Sequence, residues 1–260
     1  MIKILKYSFS DLIRSKWSYI YLAFYLVLGF VLLFLNNDIS KAVITLMNLI
    51  VVLTPLIGTI FGIMYYYNSR EFTELLLAQP VSRPKIFLGQ YLGIALSLSF
   101  SLILGLGLPF LIYGIFQSDE IFNFIMLLIS GTFLTFIFVA LSVLIALFNS
   151  NKIKGFGYAI LMWLFLAVIY DGVFLIALVM FRDYPLDNLA LTASFFNPID
   201  LSRIMILLKL DISALLGYTG ALFQQFFGTS TGLIVSISIL TFWVVIPVGI
   251  LLKKSQTKDF

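Results

Sequence analysis

The chain has 260 residues, 62% of them hydrophobic and 11% charged, with a net charge of +4 at pH 7. Soluble domains carry about a quarter charged residues, so an ordinary soluble domain is excluded and lipid is the solvent the sequence is built for. With no Cys and no His, disulfides, thiol chemistry, zinc or haem ligation and histidine general-base catalysis are excluded too.

Residues 1–16, MIKILKYSFSDLIRSK, place Ile2, Leu5, Phe9, Leu12 and Ile13 on one helical face and Lys3, Lys6, Ser10 and Arg14 on another. This is the pattern of an interfacial helix lying along a leaflet. Six apolar runs follow, at residues 17–35, 43–67, 86–115, 121–148, 158–181 and 231–252, each long enough for a hydrocarbon core of about 30 Å. Because the first run is long enough to span and further spans succeed it, no cleavable signal is expected. Residues 1–260 therefore read as a single all-α polytopic transmembrane domain.

Between the second and third runs lies a polar interruption, NSREFTELLLAQPVSRPK, residues 68–85. Asn68 is a candidate N-cap, with Glu71 at N3 completing a capping box. Phe72, Leu75 and Leu76 then share a face, and Pro80 stops the helix. The leucine run 75–77, flanked by Glu71, Glu74 and Arg83, carries both signs of charge. A protein groove suits that mixture better than an anionic lipid surface, which favours a polybasic face.

Gly58 and Gly62 in the second run, and Gly89 and Gly93 in the third, form two small-xxx-small pairs that suit close helix contact in lipid. Asp119 and Glu120 fall in a tight turn and read as solvated rather than as a catalytic or metal pair. Asp171 is the one ionisable residue inside a span, with no evident basic partner in any other span. It reads either as a substrate-path or gating residue or interhelical polar contact, or as a group near the outer surface or simply protonated.

Residues 182–230 are too long for an ordinary connection. There Asn197 reads as N-cap, Pro198 as N1 and Asp200 as N3, reaching back in a capping-box manner, with the helix ending near Asp211. Residues 216–228, LGYTGALFQQFFG, are too short to span and too aromatic for a solvated loop, as in a re-entrant or interfacial segment.

Of the 16 basic residues, about 12 fall on one side: Lys3, Lys6, Arg14 and Lys16, then Arg70, Arg83 and Lys85, then Lys152 and Lys154, and finally Lys253, Lys254 and Lys258. The positive-inside rule then places both termini in the cytoplasm, leaving Lys41, Arg182, Arg203 and Lys209 opposite. No internal repeat of the kind found in secondary transporters is evident. No Gly-rich phosphate loop exists either, so any ATP used is bound by another chain.

The stretch LLLAQPVSR, residues 75–83, resembles the cytoplasmic coupling helix of ABC-2 type permeases. An acid late in the fifth run at Asp171, and the NPIDLSR element with Asn197, Pro198, Asp200 and Arg203, bring the likeness closest to the membrane subunits of nitrous-oxide-reductase maturation transporters. Many relatives have a Gly-Thr pair just before the leucines, where this chain has Glu71 and Phe72.

The resemblance implies six spans in a bacterial inner membrane, short extracytoplasmic helices between spans five and six, and a homodimer. It implies a non-catalytic subunit with no cofactor of its own, ATP and Mg being held by two copies of a cytoplasmic ATPase. Asn68, Glu71, Glu74, Leu76, Pro80 and Arg83 would then couple to that ATPase. Asn197, Pro198, Asp200 and Arg203 would dock an extracytoplasmic β-helical accessory protein, in assembly of the copper-sulfur centre of nitrous oxide reductase during denitrification. Copper calls for thiolate, imidazole or thioether ligands, and scattered methionines make this subunit a poor copper conduit. A general ABC-2 exporter of lipid, drug or gliding-motility cargo is the alternative, and an ion-coupled carrier centred on Asp171 is another.

Overall fold

Lipid offers no partner for backbone N–H and C=O groups, so each apolar run must close its hydrogen bonds within itself. The computed structural model describes residues 1–36, 38–181, 187–207 and 230–257, and among them every regular element is helical. Six helical segments are long and apolar enough to cross a membrane: Lys16–Asn36, Ile39–Asn68, Arg83–Ile112, Ile121–Phe148, Lys152–Ala177 and Thr231–Thr257. They match the six runs of the sequence, with ends shifted by local capping. Residues 216–228, Arg182, Lys209, Asp211 and Lys258 lie outside the described residues.

The N-terminal helix α1 is Ile2–Arg14, followed by α2, Lys16–Asn36. Helix α3, Ile39–Asn68, starts four residues before the expected 43 because Asp38 caps it, accepting from the Ser40 N–H at 2.9 Å. The short α4 is Arg70–Leu77, and α5 is Arg83–Ile112. After α5 the chain takes a left-handed turn at Gly114 (φ 87°), whose N–H bonds the Leu111 carbonyl at 3.2 Å. Helix α6 is Ile121–Phe148, entered through a polar turn in which Asn123 donates to Glu120 at 2.6 Å.

The fifth span begins at Lys152 rather than 158, because the Asn151 side chain accepts from the N–H groups of Ile153 and Lys154 at 2.9 and 3.2 Å. It is built from α7, Lys152–Leu164, a π turn at Phe165–Ile169, and α8, Tyr170–Met180. Two short helices follow, α9 (Asp187–Phe195) and α10 (Pro198–Leu207), and then the long α11, Ser230–Thr257.

Helices α3, α5 and α6 form the centre, the others packing around them. Three of the four paired glycines, Gly62, Gly89 and Gly93, mark tight helix contacts, whereas Gly58 has ordinary van der Waals room. A Cβ at Gly58 would lie 3.6 Å from the Thr135 carbonyl of α6, and one at Gly62 would strike Ser142. The Gly89/Gly93 pair seats α1 rather than another span: a Cβ at Gly93 would lie 2.6 Å from Ser8 Cβ and 3.0 Å from the Phe9 nitrogen. Consequently the buried face of α1 is Ile4, Ser8 and Leu12, while Ile2 is exposed. The face read from the sequence is thus rotated, because α1 presents small residues to the glycines of α5 as well as apolar ones outward.

One end of the bundle gathers the basic segments. Tyr7 of α1 stacks on Phe72 of α4 with centroids 4.6 Å apart. The Lys152 ammonium donates to Asn68 Oδ1 at 3.2 Å, and the Tyr67 hydroxyl donates to the Asn149 carbonyl at 2.7 Å. Lys254 of α11 lies 5.4 Å from the centroid of the Phe148 ring. Both termini of the described chain, α4 and the α6–α7 turn therefore share that end.

Candidate functional site

Helix α4 has 8 residues, far fewer than the 12–15 or so at which an isolated helix becomes even marginal in water, so its order comes from neighbours. Thr73 is the buried residue at its centre. The Thr73 hydroxyl donates to the Ser69 carbonyl and accepts from the Gln90 side chain of α5, each at 2.8 Å. Gln90 is itself buried. Phe72 stacks on Tyr7, and Leu76 lines a 620 Å³ cleft between α1 and α4, together with Ile4, Tyr7 and Val81. Helix α4 is therefore tied to both α1 and α5.

What remains on the outer face is Arg70, Glu71, Glu74 and Leu75, all exposed, Leu75 at 68%. Arg70 Nε lies 3.0 Å from Glu74 Oε1, an exposed i,i+4 pair of only about 0.4 kcal/mol. The face offers a partner two carboxylates around one leucine.

Three readings of this segment are corrected. Asn68 ends α3 instead of capping α4: the Ser69 N–H still bonds the Tyr65 carbonyl at 2.8 Å, so Ser69 alone separates the two helices. Ser69 is the N-cap and makes no side-chain cap bond, so Glu71 falls at N2 and no capping box forms. Leu75 does not share the buried face of Phe72 and Leu76, because the Thr73–Gln90 tie turns Thr73 inward and Leu75 out. Pro80 is exposed between α4 and α5, and Arg83, also exposed, opens α5 ahead of Pro84.

At the opposite end, α9 and α10 meet at Phe196–Asn197 against the fifth and sixth spans. The Phe195 carbonyl accepts from Trp243 Nε1 at 3.1 Å, and the Asn197 amide donates to the Leu166 carbonyl at 2.8 Å. At a rise of about 1.5 Å per residue, Trp243 stands about 15 Å along its helix from Lys253, and Leu166 about 21 Å from Lys152. The α9–α10 turn therefore packs beside the middle of both spans rather than at their ends. Leu166 belongs to the π turn, where the regular ladder is interrupted, and Asn197 supplies a donor there.

Around that turn four polar side chains converge. Asn197 Oδ1 caps α10, accepting from the Ile199 N–H at 3.1 Å, and the Asn197 amide donates to Asp200 at 3.0 Å and Asp171 at 3.4 Å. Arg203 Nη1 reaches Asp171 at 2.7 Å and Asp200 at 3.3 Å. The N-cap reading of Asn197 holds, but Asp200 bonds the Asn197 side chain instead of reaching back to its backbone, because the Arg203 guanidinium draws the carboxylate inward. Asp171 is not alone: its cation comes from α10, which is not one of the six spans and so lies outside the search for a partner among them. At the helical rise Asp171 lies about 28 Å along the span from Lys152, toward the end away from the termini.

Asn197, Pro198 and Asp200 are buried within the chain, and Arg203 is partly exposed. Burial and the adjacent Asp171 carboxylate push Asp200 up to about 8, against the opposing pull of Arg203 and Asn197. Tyr170 extends the cluster, donating to the Ala193 carbonyl of α9 at 2.6 Å. The sequence reading missed Thr73, Gln90 and Tyr7 as the ties of α4. Gln90 alone left a signal, as an amide within an apolar run.

Six helices long and apolar enough to span on a three-helix centre, a small helix keyed into the interior at one end and a short helical pair packed against the fifth and sixth spans define a multi-pass α-helical membrane protein. No family profile matches the chain. It is similar to ABC transporter permeases. It is 24% identical over 212 residues to a Stutzerimonas stutzeri protein named "Probable ABC transporter permease protein NosY", covering 75% of this chain and 77% of the relative. With the protein of the same name from Pseudomonas aeruginosa it shares 27% identity over 186 residues, 68% of this chain and 67% of that relative.

Proposed function

We propose that the chain is the membrane-spanning subunit of an ABC transporter, a non-catalytic permease that receives ATP-driven motion through α4. The observation that carries this reading is the double attachment of α4, to α1 through Phe72–Tyr7 and to α5 through Thr73–Gln90, beneath an exposed face of Glu71, Glu74 and Leu75. A helix solely serving as a connector has no use for both. The partner is a cytoplasmic ATPase that holds ATP and Mg, with Pro80 and Arg83 at the edge of its footprint.

The permease works as a homodimer in the bacterial inner membrane, termini in the cytoplasm, and the exposed apolar faces of α2 and α8 are shared between lipid and the second copy. By the resemblance of the NPIDLSR element, the segment 182–230 receives an extracytoplasmic β-helical accessory protein during copper-sulfur centre assembly. Since Asn197, Pro198 and Asp200 are buried, they serve that docking by shaping the segment rather than by touching the partner. A lone-carboxylate ion carrier fits poorly with Asp171 paired to Arg203.

Mass spectrometry of what co-purifies with the full chain from its native membrane tests the proposal. An ATPase together with a β-helical extracytoplasmic protein is the expected result. An ATPase alone would replace the maturation role with a general ABC-2 exporter, and transport in vesicles holding this chain without any ATPase would overturn the permease reading.

A further inference from the structure

Along one flank of the bundle α11 does not close against α5 and α6. A cleft of 330 Å³ runs between Leu88 and Leu92 of α5, Phe136 of α6, and Val248, Gly249 and Leu252 of α11. A second, of 490 Å³, continues it toward Ile103 and Ile125, with Phe136 and Val244 lining both. The few hydroxyls in the walls are already engaged: Tyr91 donates to the Phe136 carbonyl at 3.3 Å, and Thr132 and Thr241 to carbonyls of their own helices at 2.8 and 2.7 Å. The groove is therefore dry, with nothing in it asking for water or a polar ligand.

The wall that α11 contributes runs from Val244 to Leu252, about 12 Å of helix, and is apolar throughout. A single extended hydrocarbon chain lies along a wall of that length. Gly249 keeps the space open: a Cβ there would meet nothing within 4 Å, so packing within the chain does not demand a glycine. The charge at one end is equally informative. Lys253 directly follows Leu252 and is exposed, Lys85 is exposed one turn before Leu88 where α5 borders the α1–α4 cleft, and Lys254 lies over Phe148. No acidic residue neighbours these lysines in sequence within the described residues of α5 or α11.

We propose that this groove is a lipid site, holding one acyl chain of an anionic phospholipid from the leaflet on the side of the termini, with its phosphate between Lys85 and Lys253. The chain lies along Leu88, Leu92, Val248 and Gly249, and the lysines select the headgroup. The site needs no ATPase, so it stands or falls separately from the permease reading.

Native mass spectrometry of the full chain in detergent, titrated with phosphatidylglycerol or phosphatidylcholine, tests it. The wild type is expected to retain one phosphatidylglycerol per chain and to bind phosphatidylcholine at least several-fold more weakly. Gly249→Leu fills the groove and should lower retention of both lipids about tenfold, with an unchanged melting temperature as the folding control. Val245→Trp, on the same wall, serves if Gly249→Leu does not fold. Lys85→Gln with Lys253→Gln should abolish the headgroup preference while leaving phosphatidylcholine binding intact. Equal phosphatidylglycerol retention by the wild type and both groove variants would overturn the proposal. So would a groove variant that alters the oligomeric mass and not the bound lipid, which would assign the groove to a second copy.

Discussion

Arg203 reaches back 32 positions to place its Nη1 2.7 Å from Asp171 Oδ2. One residue belongs to the short α10 and the other to the fifth span, so the pair is a clasp between a short helix and a spanning one. Asp200, one turn before Arg203, shares the same guanidinium at 3.3 Å, and Asn197 ties both carboxylates to the opened ladder at Leu166.

Removing the cation strands the Asp171 carboxylate beside the Asp200 carboxyl, which keeps its proton below about 8. Arg203→Gln is expected to destabilise the purified protein by about 3 kcal/mol, measured as thermal or denaturant unfolding in detergent. Adding Asp171→Asn should restore part of that loss, because the second change removes a charge that the first one stranded. A coupling of at least about 1 kcal/mol is expected from the double-mutant cycle; strictly additive losses would mean that the ion pair holds nothing together.

The same cluster responds to pH through Asp200. Its carboxyl is raised from 3.8 to about 8, so between those values the unfolded chain has released a proton that the folded one keeps. Stability contributed by this group is therefore fully present below the unfolded value and falls as pH rises toward 8. Hydrogen exchange of the α10 amides is expected to quicken across that interval, and Asp200→Asn should flatten the dependence. An unchanged slope in the variant would assign the response to other groups.

The six spans were legible because their signal is long and one-dimensional: lipid forces the helix, and length sets its number. The ends were less so, since Asp38 and Asn151 cap spans from outside the apolar runs. Asn197 could be read as a cap because Pro198 follows it, but its side-chain amide is spent on Leu166, Asp171 and Asp200, contacts that come from tertiary packing. The rotation of α4 had the same cause: periodicity puts Phe72, Leu75 and Leu76 together, whereas one hydrogen bond from Gln90 to Thr73 decides which side faces in. The role of Gly89 and Gly93 was visible as a need for close contact, yet only the fold shows that α1 is the partner.

Leu75 is 68% exposed at the centre of the outward face of α4, while Leu76 is turned toward α1. The two neighbours are thus expected to fail differently. If α4 meets an ATPase as proposed, Leu75→Asp should abolish its co-purification with the chain in its normal membrane-inserted state, at little cost in stability, because the changed side chain is exposed at the centre of the proposed contact face. Leu76→Ala should lower the melting temperature instead, with the ATPase still bound. The reverse pattern would place the contact face of α4 on the other side.

The tie between α4 and the membrane can be cut without touching the contact face. Thr73→Val removes the acceptor of the buried Gln90 amide and strands that donor, an expected loss of about 1–3 kcal/mol. Replacing both partners, Thr73→Val with Gln90→Met, strands nothing and should cost less than the single change, since an apolar pair can substitute for a satisfied polar one. Under the proposed coupling through α4, the double variant reconstituted with the proposed ATPase is expected to bind it normally and hydrolyse ATP, yet to drive transport or partner assembly several-fold less per ATP, because the hydrogen bond from α4 to α5 is gone. Phe72→Ala, which removes the stack on Tyr7, would cut the other tie and should deepen the defect when combined. Full output per ATP in the triple variant would mean that force enters the membrane by a route other than α4.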